Sequence, residues 1–233
     1  MHYGSTPHTI LFSLITRFPL RRIFLRLNHM NTWQEKFTNI TWDTLREGTF
    51  ELSKQIETNT LKPDLIVAIA RGGLTIAQLL SDSLSLPIAT FTVVSYKDLK
   101  QSHQPTITHP LGSPLDGKKV LLVDDISDTG ITFKRGISYL MEQGVAEKNI
   151  ITTALIHKPH SIFTPTYYYR ETAHWVIMPY EVHETIKQLM PLWKKEGVTI
   201  EEMKKRFLSI EFNKSEINHF IIQYSLRPRS GRA

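Results

Sequence analysis

Cysteine is absent from the 233 residues, which excludes a disulfide framework and any thiolate-held zinc or iron–sulfur centre. A reducing compartment, the cytoplasm, is the expected setting. Long apolar runs are also missing. The longest early stretch, "TILFSLIT" (9–16), falls well short of the roughly 18 to 20 residues of a membrane span, so no membrane association is expected. Neither a Walker glycine loop nor a dinucleotide fingerprint occurs, no internal repeat or low-complexity segment is found, and the ten histidines show no metal-ligand spacing.

Acid is missing from the two ends. Residues 1–34 carry Arg17, Arg21, Arg22 and Arg26 and no Asp or Glu, and the tail from Arg227 carries three arginines and no acid. Without these seven, 21 Lys+Arg stand against 22 Asp+Glu. The formal charge of +6 is therefore a property of the ends, and a near-neutral body lacks the basic surface that tracks phosphates, so no nucleic-acid partner is expected. Residues 1–30 read either as an organellar presequence or as an over-extended start ahead of Met30; they are set apart from the fold as an N-terminal extension.

The remainder divides into a main domain (31–182), a helical appendage (183–226) and a basic tail (227–233). Thr41 is placed to cap a helix with Asp43 in its first turn and Leu45, Leu52 and Ile56 on one face. The continuous apolar run "DLIVAIA" (64–70) predicts a strand buried on both sides, broken by "RGGL" and followed by a helix over "LTIAQLLSDSLS". The run "IATFTVVSY" is strand-like, and the polar stretch from Lys97 to Lys118 is expected as a long connection without regular structure. A strand over 119–124 leads into a helix with Phe133, Ile137, Leu140 and Met141 on one stripe. "NIITTALIH", "YYYRE" and "WVIMPY" are further strand candidates. This alternation predicts an α/β fold, an open, mainly parallel twisted sheet flanked by helices. Past Tyr180 two helices are expected, the first with Thr199 and Glu202 as a capping box and Ile200, Met203 and Phe207 on one face, the second with Ile217, Phe220, Ile221 and Tyr224.

The segment "VLLVDDISDTGIT" (120–132) carries the chemistry. A buried strand runs into Asp124 and Asp125, and ligands of open α/β sheets sit beyond the carboxyl ends of strands. The turn that follows opens a helix whose free amides and positive dipole end favour a phosphate, with Thr129 and Thr132 as hydroxyl donors and Gly130 permitting close approach of the backbone. Acids beside a phosphate cradle suit a ligand with both phosphate and vicinal hydroxyls, because carboxylates accept from ribose hydroxyls and hold magnesium.

The segment resembles the phosphoribosyl diphosphate (PRPP) signature of the type I phosphoribosyltransferases, every diagnostic position being filled. "AIARGGL" resembles the family's pyrophosphate loop, "VVSYKD" the start of its mobile hood, with Lys97 and Lys100 as candidate cations, and "IHKP" with "HWVIMPYE" the base end of the bacterial xanthine–guanine and archaeal purine enzymes. The resemblance spans about residues 40–181. It implies transfer of 5-phosphoribosyl from PRPP to a 6-oxopurine with release of pyrophosphate, in a type I fold, with magnesium as cofactor and a homodimer or homotetramer as the assembly. PRPP would be bound by Arg71, Gly72, Asp124, Asp125, Ser127, Asp128, Thr129, Gly130 and Thr132. Asp124, Asp125 and Asp128 would act in catalysis, with Asp125 on magnesium and Asp128 moving a proton at purine N7. Lys158 would donate to purine O6, Trp175 would pack on the ring, and the Val176 backbone would meet the base edge. Ile177 stands where an acid can occur in the xanthine–guanine enzymes, and Tyr180 where a second tryptophan is usual, so the choice among hypoxanthine, guanine and xanthine stays open. The rival reading is a regulator of the same fold that binds PRPP or nucleotide without catalysis, its C-terminal helix pair imitating a DNA-reading module.

Overall fold

The computed structural model describes residues 36–94 and 105–226. The expectations for residues 1–30, for Lys97 and Lys100 and for the basic tail lie outside them. The chain from residue 38 onward forms one compact unit that contains both the sheet and the C-terminal helices. In chain order the elements are β1 (Phe37–Asn39), α1 (Trp42–Glu57), β2 (Leu65–Ala70), α2 (Gly73–Leu84), β3 (Ile88–Val94), β4 (Thr106–His109), β5 (Val120–Ser127) and α3 (Ile131–Glu142). These are followed by β6 (Ile150–His157), β7 (Tyr167–Glu171), β8 (Trp175–Ile177), α4 (Val182–Lys195), α5 (Ile200–Ser209) and α6 (Lys214–Leu226). Among the described residues, no helix is long and apolar enough to cross a membrane.

Six strands form one sheet in the order β4-β3-β2-β5-β6-β7. All neighbours are parallel except β3 and β4. The apolar runs of β2, β5 and β6 are buried on both faces, and the period-2 alternation of side chains sorts them into two cores. Ile66, Ala68, Leu121 and Val123 join Leu45, Leu52 and Ile56 of α1 and Ile76 and Leu80 of α2. Val67, Ile69, Val120 and Leu122 join Phe133 and Leu140 of α3 on the other side. Thr41 caps α1 by accepting from Thr44 N at 3.1 Å.

The structure departs from the sequence expectations at several points. The stretch 97–118 contains β4, where the short alternation "TITH" suits a half-exposed edge strand. β5 runs on to Ser127 instead of stopping at Asp124, because β6 continues to pair with it. β8 lies outside the main sheet and pairs with β1. Met141 is exposed; the place beside the sheet is taken by Tyr139, whose ring packs 4.9 Å from that of Phe91 and whose hydroxyl accepts from Leu111 N. The appendage has three helices, α4 preceding the two expected, and Ile200 and Tyr224 face outward while Met203, Phe207, Ile217 and Ile221 are buried.

Helix α1 lies close to the sheet at Gly48, where an added Cβ would come within 2.6 Å of Tyr169 Cδ1 and 2.8 Å of Leu155 Cδ1. Leu155 is fully buried and Tyr169 is packed against the same core, so neither can move cheaply. Gly48→Val is expected to lower the unfolding free energy by about 1–3 kcal/mol through overpacking, read from urea denaturation; an unchanged midpoint would show that the helix has room to withdraw.

Candidate active site

The chain leaves β2 towards β3 on one side of the sheet and β5 towards β6 on the other. The carboxyl ends of β2 and β5 therefore flank the point where the winding reverses, the position at which such sheets open a crevice. Pairing of β2 with β5 ends at Ala68 opposite Val123, while β5 continues beside β6 to Ser127 opposite His157. Asp124 and Asp125 thus stand where β5 outruns its β2 neighbour, and the loop after β2 fills the step.

Two glycines let it do so. A Cβ on Gly72 would lie 2.4 Å from Asp125 Oδ1, and one on Gly73 2.3 Å from the Val123 carbonyl oxygen, so any side chain at either position would drive the loop off the acid strand. The peptide bond between Ala70 and Arg71 is cis.

A cleft of about 540 Å³ opens here, with Arg71, Gly72, Asp124, Asp125 and Thr132 among its lining residues. Thr132 brings the first turn of α3 to the cleft edge. The N-cap of that helix is Gly130 in left-handed conformation (φ +80°), which offers no side-chain acceptor to the first amides. The opposite wall comes from Tyr180, Glu181, His183 and Glu184 at the start of α4. Arg71 Nη2 lies 2.8 Å from Glu184 Oε2, but the guanidinium is 82% exposed. An ion pair in water contributes little, so it can open at small cost.

Carboxylates dominate the cleft, and Arg71 is the one lysine or arginine among the described lining residues. Burial, then the charge of Asp125, holds the Asp124 carboxyl well above the usual carboxylate range, against the lowering effect of the Asp125 amide, which donates to Asp124 Oδ1 at 3.0 Å. Asp125 is also raised by burial, opposed by the Tyr180 hydroxyl, which donates to its Oδ2 at 2.9 Å. Burial and the Asp125 charge push the Tyr180 hydroxyl far above its ordinary value, so it remains a donor. Glu181 is pushed up to about 7 by burial, Asp125 and Glu184. Among the described residues, no group of three or more acids or histidines could hold a metal by itself; a cation here would need oxygens from a ligand.

A second group lies past the end of β5. Lys158 N donates to Ser127 O at 3.0 Å, which sets the lysine beside the Asp128 turn. The ammonium is buried and donates to the carbonyl of His174, immediately before Trp175. Burial lowers its pKa and the charge of Asp128 opposes that shift. Trp175 is 46% exposed, and Val176 and Ile177 are buried behind it. Asp128 is exposed and its Oδ1 is 3.3 Å from His160 Nε2.

Two residues of the signature also hold the neighbouring loop. The hydroxyl of Ser127 is buried and donates to Phe163 O at 2.7 Å, so this side chain holds the loop between β6 and β7. At Gly130 the close approach is to that same loop: a Cβ would meet Phe163 N at 2.6 Å and Ser161 Oγ at 2.7 Å. Thr129 likewise accepts the amide of Ile162 on its carbonyl. Sequence reasoning missed the wall formed by Glu181, His183 and Glu184 and the hydroxyl of Tyr180. The acid-bearing "PYEVHE" directly after the base segment was the available signal.

A family profile for the phosphoribosyl transferase domain matches residues 41–185, over half of the chain. The chain belongs to the phosphoribosyl transferase domain family. It is 28% identical over 165 residues to a xanthine-guanine phosphoribosyltransferase of Gluconobacter oxydans, covering 69% of this chain and 93% of that protein. Among solved structures, a purine phosphoribosyltransferase from Pyrococcus horikoshii is 34% identical with a TM-score of 0.57, over 62% of this chain and 93% of that one. A xanthine-guanine-hypoxanthine phosphoribosyltransferase of Helicobacter pylori, 22% identical, shares the family fold with a TM-score of 0.56 over 64% of this chain and 96% of that one.

The raised Glu181 carboxyl has a stability signature. Where a folded-state pKa lies above the unfolded value, folding binds a proton across the interval, and stability falls as pH rises through it. The melting temperature of the wild type relative to Glu181→Gln is therefore expected to fall between about pH 4.5 and about 7. Parallel curves for the two proteins would show that Glu181 titrates alike in both states.

Proposed function

We propose that this protein transfers the 5-phosphoribosyl group of PRPP to a 6-oxopurine, releasing pyrophosphate, in purine salvage. The observation that carries the reading is the convergence at the switch point: the Arg71–Gly72 loop and the Asp124–Asp125 pair face one cleft, and Lys158 is held at the end of the same strand and bonded to the residue before Trp175. Relatives named xanthine-guanine phosphoribosyltransferase and purine phosphoribosyltransferase add support.

In this reading a purine ring nitrogen attacks C1 of PRPP as the bond from C1 to the pyrophosphate oxygen breaks. The transition state carries positive charge on the sugar and negative charge on the leaving group, so the protein acts mainly by positioning and by charge stabilisation. Arg71 and the amides of the loop after β2 receive the leaving pyrophosphate, with Glu184 releasing the guanidinium. The carboxylates of Asp124 and Asp125 accept from the ribose hydroxyls, and the first turn of α3 with Thr132 takes the 5-phosphate. Magnesium bound with the diphosphate would neutralise the charge that develops there, and a cleft crowded with acids fits it, Asp125 being the protein oxygen to hold it.

Lys158 selects a purine with an oxygen at C6, because an ammonium can only donate and the amino group of adenine offers it no acceptor there. Trp175 offers its exposed ring to the base, and the backbone of buried Val176 meets the base edge. Asp128, exposed beside Lys158, takes the proton at N7.

Pyrophosphate release is measured with PRPP and magnesium and with hypoxanthine, guanine, xanthine or adenine. Turnover with one or more of the 6-oxopurines and none with adenine is the expected outcome; absence of release with every base, in protein that still binds PRPP, would favour the non-catalytic regulator. Asp128→Asn is expected to lower kcat by roughly 10²-fold or more with PRPP affinity changed little, and an unchanged kcat would remove Asp128 from proton transfer.

A further inference from the structure

Tyr180 joins three parts of the site. It follows β8, the strand that carries Trp175 and Val176, by three residues. Its hydroxyl has one proton, donated to Asp125 Oδ2 at 2.9 Å and also directed at the Gly72 carbonyl at 3.3 Å. The ring is tilted 58° against that of Trp42, centroids 6.3 Å apart, which fixes its approach from the side of α1. The Asp125 carboxyl is held between this hydroxyl and the bare Cα of Gly72, where a Cβ would stand 2.4 Å from Oδ1. The hydroxyl therefore ties the acid at the end of β5 to the loop after β2, and it does so from the polypeptide that leads out of the base strand.

We propose that Tyr180 is a positioning residue for PRPP: it sets the rotamer of Asp125 and the height of the Arg71–Gly72 loop together, so that the ribose-binding acid and the pyrophosphate-binding backbone meet one ligand in register. The proposal rests on the function proposed above. A hydroxyl that merely satisfied its own hydrogen bond on a half-buried ring would affect folding without favouring one substrate over the other. A positioning hydroxyl affects PRPP and spares the base, because neither Asp125 nor Gly72 belongs to the Lys158 group.

The test compares wild type with Tyr180→Phe, which keeps the ring and removes the donor. PRPP binding with magnesium is measured by calorimetry, KM for PRPP and for the purine separately by steady-state kinetics, and Tm by thermal melting. The expected result is PRPP affinity weakened by roughly tenfold or more, with KM for the purine within about twofold, beside a modest fall in Tm from the lost bond to the carboxylate. Asp125→Asn and the double variant complete a cycle: if Tyr180 acts through Asp125, its removal adds little once the carboxylate is gone. Tyr180→Phe that binds PRPP as the wild type does overturns the proposal. So does a proportionate loss of both substrates, or a strictly additive cycle. Wild-type protein that takes up no PRPP would overturn the reading of the site itself, a result separable from the others because it appears before any variant is made.

Discussion

The approach of the Gly72 backbone to the Asp125 carboxyl is the constraint on which the rest of the cleft depends. It requires β2 to stop pairing with β5 before the acids are reached, so that a loop can enter the step in the sheet. It also requires glycine twice in succession, since a side chain at Gly72 would strike the acid and one at Gly73 the strand backbone. A carboxylate placed there is cut off from water on the loop side, and the charged form loses hydration that only nearby donors can replace. The Tyr180 hydroxyl, with the backbone amides of Ile126 and Asp125, supplies those donors in the protein. The sheet register, the loop composition and the start of α4 are thus answers to a single close contact.

Crowding Asp124, Asp125, Glu181 and Glu184 beside one exposed guanidinium is unfavourable for folding in isolation, as the raised carboxyls show. Such an arrangement is expected where a ligand brings its own compensating groups: hydroxyl donors from a sugar and a divalent cation carried with a diphosphate. The Arg71–Glu184 pair belongs to the same logic. It is solvent-exposed, hence weak, and it keeps the guanidinium near the cleft without holding it there firmly.

Much of this was legible from residues in order. Buried parallel strands announce themselves as continuous apolar runs, so β2, β5 and β6 could be read directly, and Thr41 and Thr199 cap where hydroxyl-before-helix chemistry requires. The signature of 120–132 located the acid end of the site because its chemistry is local, each residue acting where it stands in the chain. The illegible parts depend on distant neighbours. Nothing in "TITH" overrides the polar stretch around it until β3 offers an edge to pair with. That Ser127 and Gly130 also pack on the loop around Phe163 could not be read in advance, because that loop is over thirty residues away. The role of Tyr180 was hidden for the same reason, its partners lying 55 and 108 positions upstream.

The helix that walls the cleft does not end where the family similarity does. The match stops at residue 185, yet α4 continues to Lys195 and buries Ile186, Leu189, Met190 and Trp193. Trp193 packs on Phe207 of α5 with centroids 4.9 Å apart, and His183, inside the cleft wall, stacks on Phe220 of α6 at 4.7 Å. The part of the site inside the family match is therefore braced by a section of chain beyond it. Changes in α5 and α6 can reach the chemistry through the wall they support, which makes the appendage a place where selection can retune this enzyme fold while leaving every signature residue untouched.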